Sequence, residues 1–409
     1  MKGENKFVKT ILALSTKVIP KEESIIFFSS PTYSDSAKAL YEYAREKKVD
    51  VKMVWLTKND EEAILLRRRD IPAYNIYSRE GVKVFLKSKL IIHTHMIFRV
   101  GGVIVKGNRQ RYFYLTHGIP LKGKPNIVYN PEWMTRLIDR SITTSQLVQY
   151  IHASWLGIPL YRIEITGYPR NDVLLKPGSI GHAVRYLEKI LGFELNNKIT
   201  FLYTPTFRIY YSKRFKGGIR KVDGRPYDNI LPFKDDEIKD LDNMLGRDNA
   251  LLIIRYHPFE ELYKIKVYRD KFNKLKNIFL LTSGMMNKLG ISIYDILPSI
   301  DCLITDYSSI YFDYLLLDRP IIFHIYDIED YFKSRGFIID LQDFKDTTIF
   351  TPGEKTYTYN DFRDAISNII NRQDLYAKDR LRTLKLIHKY RDHKSSERVW
   401  RIVDQLLHN

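Results

Sequence analysis

Short apolar segments without internal polar alternation recur along the chain, and longer amphipathic stretches separate them. Such runs, rich in β-branched and aromatic residues, are typical of strands buried on both faces of a parallel sheet. The intervening stretches are long enough for the helical crossovers that parallel strands need. The pattern therefore predicts an α/β fold with parallel sheets. The predicted strands are Ser24–Ser29, Val51–Leu56, Leu90–His93, Tyr112–Thr116, Arg162–Thr166, Thr200–Tyr203, Leu251–Arg255, Asn277–Leu281, Cys302–Thr305 and Pro320–His324.

Turn residues divide these strands into two series at Lys176-Pro177-Gly178-Ser179. The chain has 409 residues, and a domain usually has about 100–200. We therefore predict two Rossmann-like, doubly wound parallel-sheet domains, residues 1–176 and residues 177–409, the second of which ends in helices. Two such domains are expected to face a cleft, with ligands at the carboxyl ends of the strands.

The chain is strongly basic, because 66 Lys and Arg against 48 Asp and Glu give a formal net charge of +18. An excess of this size predicts a negatively charged partner: nucleic acid, a phosphorylated substrate or an anionic membrane. Cys302 is the only cysteine, which excludes an intramolecular disulfide and a cysteine-based zinc site and is typical of a reducing cytosol. No apolar run approaches the roughly 18 residues of a membrane-spanning helix, so we expect a soluble, intracellular protein.

The most informative segment is C-L-I-T-D-Y-S-S, which begins at Cys302 and reads as a buried strand, a polar turn and the start of a helix. Backbone N–H groups and the dipole at a helix start favour a phosphate, and the hydroxyls of Ser308 and Ser309 add donors. Thr305 belongs to the same candidate site. Asp306 would repel a phosphate, so we expect it to cap the helix or orient a serine. Ordinary capping by serine is the alternative interpretation.

His117 directly follows a predicted strand in the segment T-H-G-I-P-L-K. A histidine at the carboxyl end of a strand is well placed to act as a general base near neutral pH. Gly118 permits close backbone approach by a ligand, and Lys122 is a candidate phosphate ligand. The alternative interpretation is a buried histidine in a Gly-Pro turn.

Arg255 and His257 lie at the end of another predicted strand, which Pro258 terminates. Strand alternation places both side chains on the same side. An arginine with a histidine suits a diphosphate whose charge grows as the leaving group departs. A surface arginine and a structural histidine remain the alternative.

The segment Tyr203–Arg208 leads from a strand into a basic loop over Arg208–Arg225, in which aromatic residues are interleaved. Thr204, Thr206 and Arg208 are candidate substrate-binding residues. Basic and aromatic interleaving serves single-stranded nucleic acid, a polyphosphate chain or lipid headgroups. A solvated loop is the alternative.

No metal site is assigned from the sequence. Asp240-Leu241-Asp242 matches a D-x-D metal motif, but it sits in a charged helical stretch rather than at a strand end. His93 and His95 share one face of a strand end without a third ligand nearby, so we interpret them as structural or cleft-lining. The basic, apolar stretch Phe7–Ile19 either lies on a membrane surface or packs on the first domain.

Taken in order, these segments resemble the CDP-glycerol glycerophosphotransferase family, the teichoic-acid primases and polymerases. The resemblance spans nearly the whole chain, and an ordered series is far more specific than any single motif. The matching segments are Tyr33–Ser36 with Ala39–Tyr43, Thr116–Lys122, Gly167–Asp172, Tyr203–Arg208, Arg255–Pro258, Asp301–Ser309, Asp318–Phe323, Tyr326-Asp327, Arg335–Phe337 and Ser395–Arg398.

The resemblance implies a GT-B-like pair of Rossmann domains, an N-terminal acceptor domain and a C-terminal nucleotide-donor domain. It implies transfer of an alditol phosphate, glycerol phosphate first of all, from a CDP-activated donor with release of CMP. By the same resemblance His117 matches the family's proposed base and His257 its donor-phosphate histidine. Ser308 and Ser309 match its phosphate-binding hydroxyls.

The partners expected on this basis are the CDP-activated donor and a phosphate-rich or lipid-linked acceptor. We also expect peripheral contact with the inner face of an anionic membrane from the cytoplasm, no nucleic acid and no cofactor; the metal requirement stays open. Two other functions remain as alternatives. One is a GT-B glycosyltransferase that uses a nucleotide sugar, and the other is a non-enzymatic polyanion-binding protein.

Overall fold

The computed structural model describes residues 15–95, 106–121, 131–206, 221–222, 225–226, 229–335, 340–346 and 349–408. The chain divides into two compact units. The first comprises residues 1–119, 128–176 and 387–409, and the second comprises residues 120–127 and 177–386. The second series of strands begins after residue 176, as predicted, but residues 387–409, which were predicted to belong to the second domain, lie with the first.

The first unit is built on a parallel sheet of seven strands in the order β3-β2-β1-β4-β5-β6-β7. The first strand lies inside the sheet, the next two extend to one side and the later ones to the other, which is the doubly wound pattern of a Rossmann fold. The strands are β1 (Glu22–Phe28), β2 (Lys52–Thr57), β3 (Ala73–Asn75), β4 (Ser88–His93), β5 (Arg111–Tyr114), β6 (Arg140–Thr143) and β7 (Ile163–Ile165).

Helices connect these strands, and side-chain caps define several of their starts. The side chains of Asn59, Ser78 and Ser145 each accept a backbone N–H from the first turn of a helix, which satisfies a donor that the helix itself leaves unpaired. The helices are α1 (Asp35–Glu46), α2 (Asp60–Arg67), α3 (Arg79–Lys87), α4 (Pro131–Leu137), α5 (Gln146–Leu156) and α6 (Asp172–Leu175), with 3₁₀ turns at Leu160–Arg162 and Pro169–Asn171.

The second unit repeats the same winding with six parallel strands in the order β12-β11-β8-β13-β14-β15. A short antiparallel pair, β9 with β10, stands apart from this sheet. The strands are β8 (Ile199–Thr204), β9 (Lys221–Val222), β10 (Arg225–Pro226), β11 (Ala250–Ile254), β12 (Ile278–Leu280), β13 (Cys302–Thr305), β14 (Ile321–His324) and β15 (Glu354–Thr356).

The helices of the second unit cover a core in which Phe201, Tyr203, Leu252 and Ile304 are fully buried. They are α7 (Ser179–Leu191), α8 (Asp235–Arg247), α9 (Pro258–Phe272), α10 (Ser283–Leu289), α11 (Ile310–Tyr314), α12 (Ile328–Arg335), α13 (Leu341–Asp346), α14 (Tyr359–Ile370) and α15 (Ala377–Ile387), with 3₁₀ turns at Ile293–Asp295, Leu297–Ser299 and Leu315–Leu317. Over the described part of the chain, no helix has the length and apolar character that a membrane crossing requires.

The last helix, α16 (Ser395–His408), belongs to the first unit, and a carboxylate of that unit caps its start. Both carboxylate oxygens of Asp172 accept hydrogen bonds, one from the backbone N–H of Ser395 and the other from that of Ser396, each at 2.8 Å. Ser395 and Ser396 are residue types that commonly cap helices with their own side chains. The cap is instead supplied by Asp172, more than two hundred residues earlier in the chain.

The α/β fold with parallel sheets is confirmed, and all ten predicted strands are present with small shifts at their ends. Three strands of the two parallel sheets were missed, namely β3, β6 and β15, and the short antiparallel pair β9 and β10 was not predicted either. Strands β3 and β15 are three-residue edge strands, and β6 reads R-S-I-T. None of the three contains the run of apolar residues on which the prediction relied.

Candidate active-site residues in the two units

His117 lies just beyond the carboxyl end of β5, in a turn with unusual backbone angles. Thr116, the residue before it, has φ of 55°, and Gly118, the residue after it, has φ of 145°. A β-branched residue rarely adopts positive φ, and glycine is the residue that does so without strain. Gly118 therefore has a conformational role in this turn, in addition to its predicted role of permitting close approach by a ligand.

The imidazole of His117 is held by aromatic and polar neighbours. It stacks on the ring of His95 with 4.8 Å between centroids and 22° between planes. The hydroxyl of Tyr114 lies 3.4 Å from its Nδ1, and the ring also makes a hydrogen bond with the backbone of Thr94. Strand ends β4 and β5 thus fix the orientation of the ring.

Asp35 and Arg170 form a largely buried ion pair in the same unit. Arg170 Nη1 donates to Asp35 Oδ1 at 2.8 Å, with the two side chains 4% and 16% exposed. Burial alone would raise the pKa of Asp35. The charge and hydrogen bond of Arg170, the N–H of Ser36 and the nearby His117 outweigh burial and hold that pKa below its usual value.

This ion pair acts electrostatically on His117. Desolvation lowers the pKa of His117, the carboxylate of Asp35 opposes that effect, and the guanidinium of Arg170 adds to it. The net result is a pKa below the ordinary histidine value, so the imidazole is neutral at pH 7. A neutral imidazole is the form that accepts a proton as a general base.

Three further histidines surround this region, and each is kept neutral by burial, which lowers its pKa to about 4. His93 and His95 occupy the end of β4, as the sequence indicated; His93 Nδ1 lies 3.1 Å from the carbonyl of His95. His152 on α5 was missed. Its Nε2 lies 3.4 Å from the carbonyl oxygen of Gly118, and a single histidine on an amphipathic helix gives no sequence signal for such a contact.

The segments Gly167–Asp172 and Ser395–Arg398 meet in the first unit. Besides the Asp172 cap, Arg398 Nε donates to the carbonyl of Thr166 at 2.8 Å. A Cβ atom at Gly167, whose φ is 79°, would lie 2.5 Å from the hydroxyl of Ser395. These contacts fix the loop that carries Arg170. The segment Ser395–Arg398 therefore helps to position Arg170, whose charge acts on His117.

In the second unit, the ends of β8 and β13 are tied together by threonine hydroxyls. Thr305 Oγ1 donates to the carbonyl of Thr204 at 3.0 Å, and Thr305 is fully buried. The N–H and hydroxyl of Thr206 both donate to the carboxylate of Asp306, the hydroxyl at 2.6 Å. Thr305 thus supports the turn through this hydrogen bond, and its predicted role in substrate binding stays a prediction.

Asp306 also differs from its predicted role. The sequence suggested that this carboxylate caps the following helix or orients a serine. In the structure it accepts hydrogen bonds from Thr206 and from the N–H of Tyr307. Its charge is thus directed to the end of β8, where it stabilises the neighbouring strand end.

Ser308 and Ser309 are half-buried in the turn between β13 and α11. Ser309 occupies the position before the helix, but its side chain makes no capping hydrogen bond. Simple capping, the alternative interpretation of this serine, is therefore not what the structure shows. The predicted role of the Ser309 hydroxyl as a phosphate ligand stays a prediction.

Arg255 and His257 follow β11, which ends at Ile254, so strand alternation does not determine their directions as predicted. The guanidinium of Arg255 pairs with the carboxylate of Glu261, and its Nη2 donates to the Ser283 hydroxyl at 2.7 Å. His257 is exposed, and its carbonyl accepts the N–H groups of Glu260 and Glu261 at the start of α9. Arg255 is thus anchored within the protein, whereas the His257 side chain reaches the surface. Glu261, which anchors Arg255, was not found from the sequence.

The family model described as CDP-Glycerol:Poly(glycerophosphate) glycerophosphotransferase matches residues 11–405. The chain belongs to this family. It is 26% identical over 367 residues to a teichoic acid poly(glycerol phosphate) polymerase of Staphylococcus epidermidis, covering 81% of this chain and 44% of that one. It is 25% identical over 341 residues to a teichoic acid glycerol-phosphate transferase of Staphylococcus aureus, covering 79% of each.

Among solved structures, a variant of the wall teichoic acid polymerase TagF soaked with CDPG matches with a TM-score of 0.74 and 21% identity. That match covers 98% of this chain and 92% of the other. The predicted GT-B-like fold class is thereby confirmed. The chain spans less than half the length of the first curated relatives that it matches.

Two residues of the glycerophosphotransferase site prediction, Lys122 and Arg208, lie outside the described residues. So do the stretch Phe7–Leu14 and most of the basic loop Arg208–Arg225. Their predicted roles stay predictions.

The acidic D-x-D pair lies on α8, as expected for a helical stretch. Asp240 accepts from Tyr359 Oη at 2.6 Å and from Arg363 Nε at 3.1 Å, and Asp242 accepts the N–H of Asn277 at 2.7 Å. Among the residues that the structure describes, no group of three or more His, Cys, Asp or Glu is arranged to hold a metal ion.

Proposed function

We propose that this glycerophosphotransferase family member transfers an alditol phosphate from a CDP-activated donor to an acceptor hydroxyl and releases CMP. Glycerol phosphate is the first candidate for the group transferred. The observation that carries the proposal is the state of His117: a neutral imidazole at a strand's carboxyl end, oriented by His95 and Tyr114. The family match over residues 11–405 supports the donor class.

In the proposed reaction the acceptor hydroxyl attacks the β-phosphorus of the donor, and His117 takes the hydroxyl proton. The bond between that phosphorus and the bridging oxygen breaks, and CMP leaves with the electron pair. The Asp35 carboxylate stabilises the imidazolium that forms, because it favours the protonated ring. Phosphoryl transfer depends mainly on positioning and charge stabilisation, which these groups supply.

The second unit is assigned to the donor. His257 and the hydroxyls of Ser308 and Ser309 are proposed to bind the diphosphate and to stabilise the charge that develops on CMP. Arg255 is proposed to act as a positioning residue, because its guanidinium is already engaged by Glu261 and Ser283. The exposed His257, two residues further on, is then the group that touches the phosphate.

The acceptor is proposed to be phosphate-rich or lipid-linked, and the protein to act in the cytoplasm at the inner face of an anionic membrane. The net charge of +18 supports an anionic partner, and the headgroups of anionic lipids attract such a surface. We propose no cofactor and no nucleic-acid partner. Activity with and without a chelator tests whether a divalent metal is required.

The decisive experiment offers the full chain CDP-glycerol, CDP-ribitol and a panel of UDP- and GDP-sugars with an acceptor, and identifies the nucleotide released. CMP from a CDP-alditol is the expected product. Release of UDP or GDP, with both CDP-alditols inert, would instead assign the protein to nucleotide-sugar glycosyltransfer. Binding of polyanions with no nucleotide released from any donor would support the non-enzymatic alternative.

A further inference from the structure

A cavity of about 370 Å³ opens at the amino ends of β5, β6 and β7 in the first unit. This is the edge of the sheet opposite to His117, which follows the carboxyl end of β5. Its lining combines three arginines (Arg111, Arg140 and Arg162) and the carboxylate of Asp139 with Gln405 and the side chains of Tyr161, Ile402 and Leu406. We call it the amino-edge pocket. Its volume falls within the range of small-molecule sites, which begins at about 300 Å³.

The three arginines all lie at the starts of neighbouring strands. Arg111 is the first residue of β5, Arg140 is the first residue of β6, and Arg162 immediately precedes β7. These strands are neighbours in the parallel sheet. Their starts therefore bring three guanidinium groups to one edge.

The positive charge at this edge is only partly neutralised. Asp139 Oδ2 is shared between Lys106 Nζ at 2.7 Å and the N–H of Tyr112 at 2.8 Å. Arg140 Nε lies 4.0 Å from a carboxylate oxygen of Glu164, and both side chains are more than a third exposed, where such pairs contribute little. Within the described residues, no carboxylate lies at ion-pair distance from Arg111.

The contacts of Arg162 and Lys106 also indicate an excess of positive charge at this edge of the sheet. Arg162 Nη1 donates to backbone carbonyls, at 3.1 Å to that of Ile138. Burial lowers the pKa of Lys106, and repulsion from Arg111 and Arg162 adds to this against the effect of Asp139. A bound anion would relieve that repulsion.

We propose that the amino-edge pocket binds an organic phosphate ester, with the phosphate held by Arg111 and Arg140 and the organic group against Tyr161 and Leu406. Guanidinium groups suit phosphate because their planar N–H pairs match its oxygens bidentately. The apolar side of the pocket consists of Tyr161, a residue that is 69% exposed, and the α16 side chains Ile402 and Leu406. A plain inorganic anion would leave this apolar side without a function.

This site is separate from the proposed catalytic reaction and does not depend on it. Ligands of doubly wound sheets normally bind at the carboxyl ends of strands, where His117 lies. The pocket is at the other edge. One phosphate-ester chemistry has two sources here, a soluble organophosphate and the headgroup of an anionic lipid, and the experiment separates them.

The test compares the full-length protein with the double variant Arg111→Gln/Arg140→Gln. The matched control is Arg68→Gln/Arg69→Gln, which removes the same charge from exposed positions at the end of α2. Binding of n-butyl phosphate and of inorganic phosphate is measured by calorimetry at low salt, and circular dichroism checks the fold of each variant. We expect the pocket variant to bind butyl phosphate at least about tenfold more weakly, because two charge-assisted contacts are lost, and the control to bind like the wild type.

A second variant, Tyr161→Ala, keeps all three arginines. It is expected to weaken butyl phosphate binding and to leave inorganic phosphate binding unchanged. Vesicles of phosphatidylcholine with and without phosphatidylglycerol form the lipid arm. Binding to phosphatidylglycerol vesicles that only the pocket variant loses identifies a headgroup site, and loss confined to butyl phosphate identifies a soluble ligand. Equal losses in the pocket and control variants, or no binding of either probe by the wild type, would overturn the proposal.

Discussion

Arg170 donates a hydrogen bond of 2.8 Å to the carboxylate of Asp35, and the two opposite charges act on the same imidazole, that of His117. The carboxylate favours the protonated ring and the guanidinium disfavours it. Because Arg170 is 4% exposed and Asp35 16%, solvent screens these effects less than it would at the surface. Desolvation lowers the pKa of His117 first of all, and a pair contributed by α1 and by the Pro169–Asn171 turn modifies that pKa in opposite directions.

Replacing Asp35 by Asn is expected to lower turnover and to move the acidic limb of the pH–rate profile to lower pH. Desolvation by the surrounding protein already lowers the pKa of His117, and Asp35 opposes this effect. Without the carboxylate the pKa falls further, so the ring stays neutral to lower pH but its protonated form is less stable during the reaction. The pH dependence of kcat/KM measures the limb, and Asp60→Asn serves as an exposed carboxylate control on α2.

The ring titration of His117 provides a readout that does not require activity. NMR of ¹³C- and ¹⁵N-labelled histidine, assigned with His117→Gln, should show the His117 pKa lowered in Asp35→Asn. In Arg170→Lys, which keeps the charge, the titration should stay near that of the wild type. An unchanged His117 titration in Asp35→Asn would contradict electrostatic control by this carboxylate, whatever happens to turnover.

The two proposed active-site histidines should respond differently to removal. His117→Ala is expected to lower turnover by about 100–10,000-fold while leaving CDP-alditol affinity nearly unchanged, since the proton it removes belongs to the acceptor. His257→Ala should weaken donor binding as well as turnover, because its proposed partner is the diphosphate. Steady-state kinetics with donor titrations by calorimetry separate the two. Near-full turnover of His117→Ala would make His95, stacked on the same ring, the next candidate for the base.

The sequence predicted the sheets well because their central strands are continuous apolar runs, such as Leu251–Ile254. The prediction from sequence was wrong or incomplete where an element depends on contacts with residues distant in the chain. Strand β15 reads E-K-T and forms only by pairing with β14. Likewise, Ser395 and Ser396 are capping residue types, yet the group that caps α16 is Asp172. No local rule connects residues so distant along the chain.

For the candidate site, too, some features could be predicted from the local sequence and others could not. The apolar pattern predicts where each strand ends, and this was enough to place His117, Ser308 and Ser309 at strand ends. The contacts of these residues could not be predicted in the same way. Asp35 and Arg170 were included only as members of matching segments, without a role, and Glu261 was not identified at all. Arg255 was assigned to phosphate because arginine suits phosphate, but the structure engages it with Glu261. Residue type indicates a possible chemistry, while the contacts decide whether the group is available.

Replacing Ser308 and Ser309 together by Ala is expected to weaken donor binding without altering the fold. Each hydrogen bond to a charged diphosphate is worth about 1.5–3 kcal/mol, and Ser309 makes no capping bond that its loss would break. Calorimetry with a CDP-alditol measures the effect. Ser367→Ala on α14, whose hydroxyl is 3.5 Å from Asn371 Nδ2, controls for loss of a serine hydroxyl elsewhere in the same unit. Donor affinity equal to that of the control would reduce both serines to turn residues.

Replacing Glu261 by Ala is expected mainly to lower the free energy of unfolding. Its carboxylate pairs with Arg255 and accepts the N–H of Ser283 at 2.9 Å, and the side chains of Arg255 and Glu261 are 11% and 8% exposed. Glu261→Ala leaves a nearly buried guanidinium without its counter-charge, which typically costs about 3–5 kcal/mol. Denaturant unfolding measures this loss, which should appear in the transition of the second unit.

The matched control for that loss is Asp364→Asn. Asp364 lies 3.8 Å from Arg363 in a pair whose side chains are 69% and 37% exposed, and exposed pairs contribute only about 0–1 kcal/mol. Arg363 also keeps its contact with the carboxylate of Asp240 at 3.1 Å, so Asp364→Asn controls for the loss of one exposed carboxylate beside an arginine. Equal and small effects would mean that water replaces Glu261 around Arg255, and the anchored position of that arginine, with its proposed role of positioning His257, would then have to be abandoned.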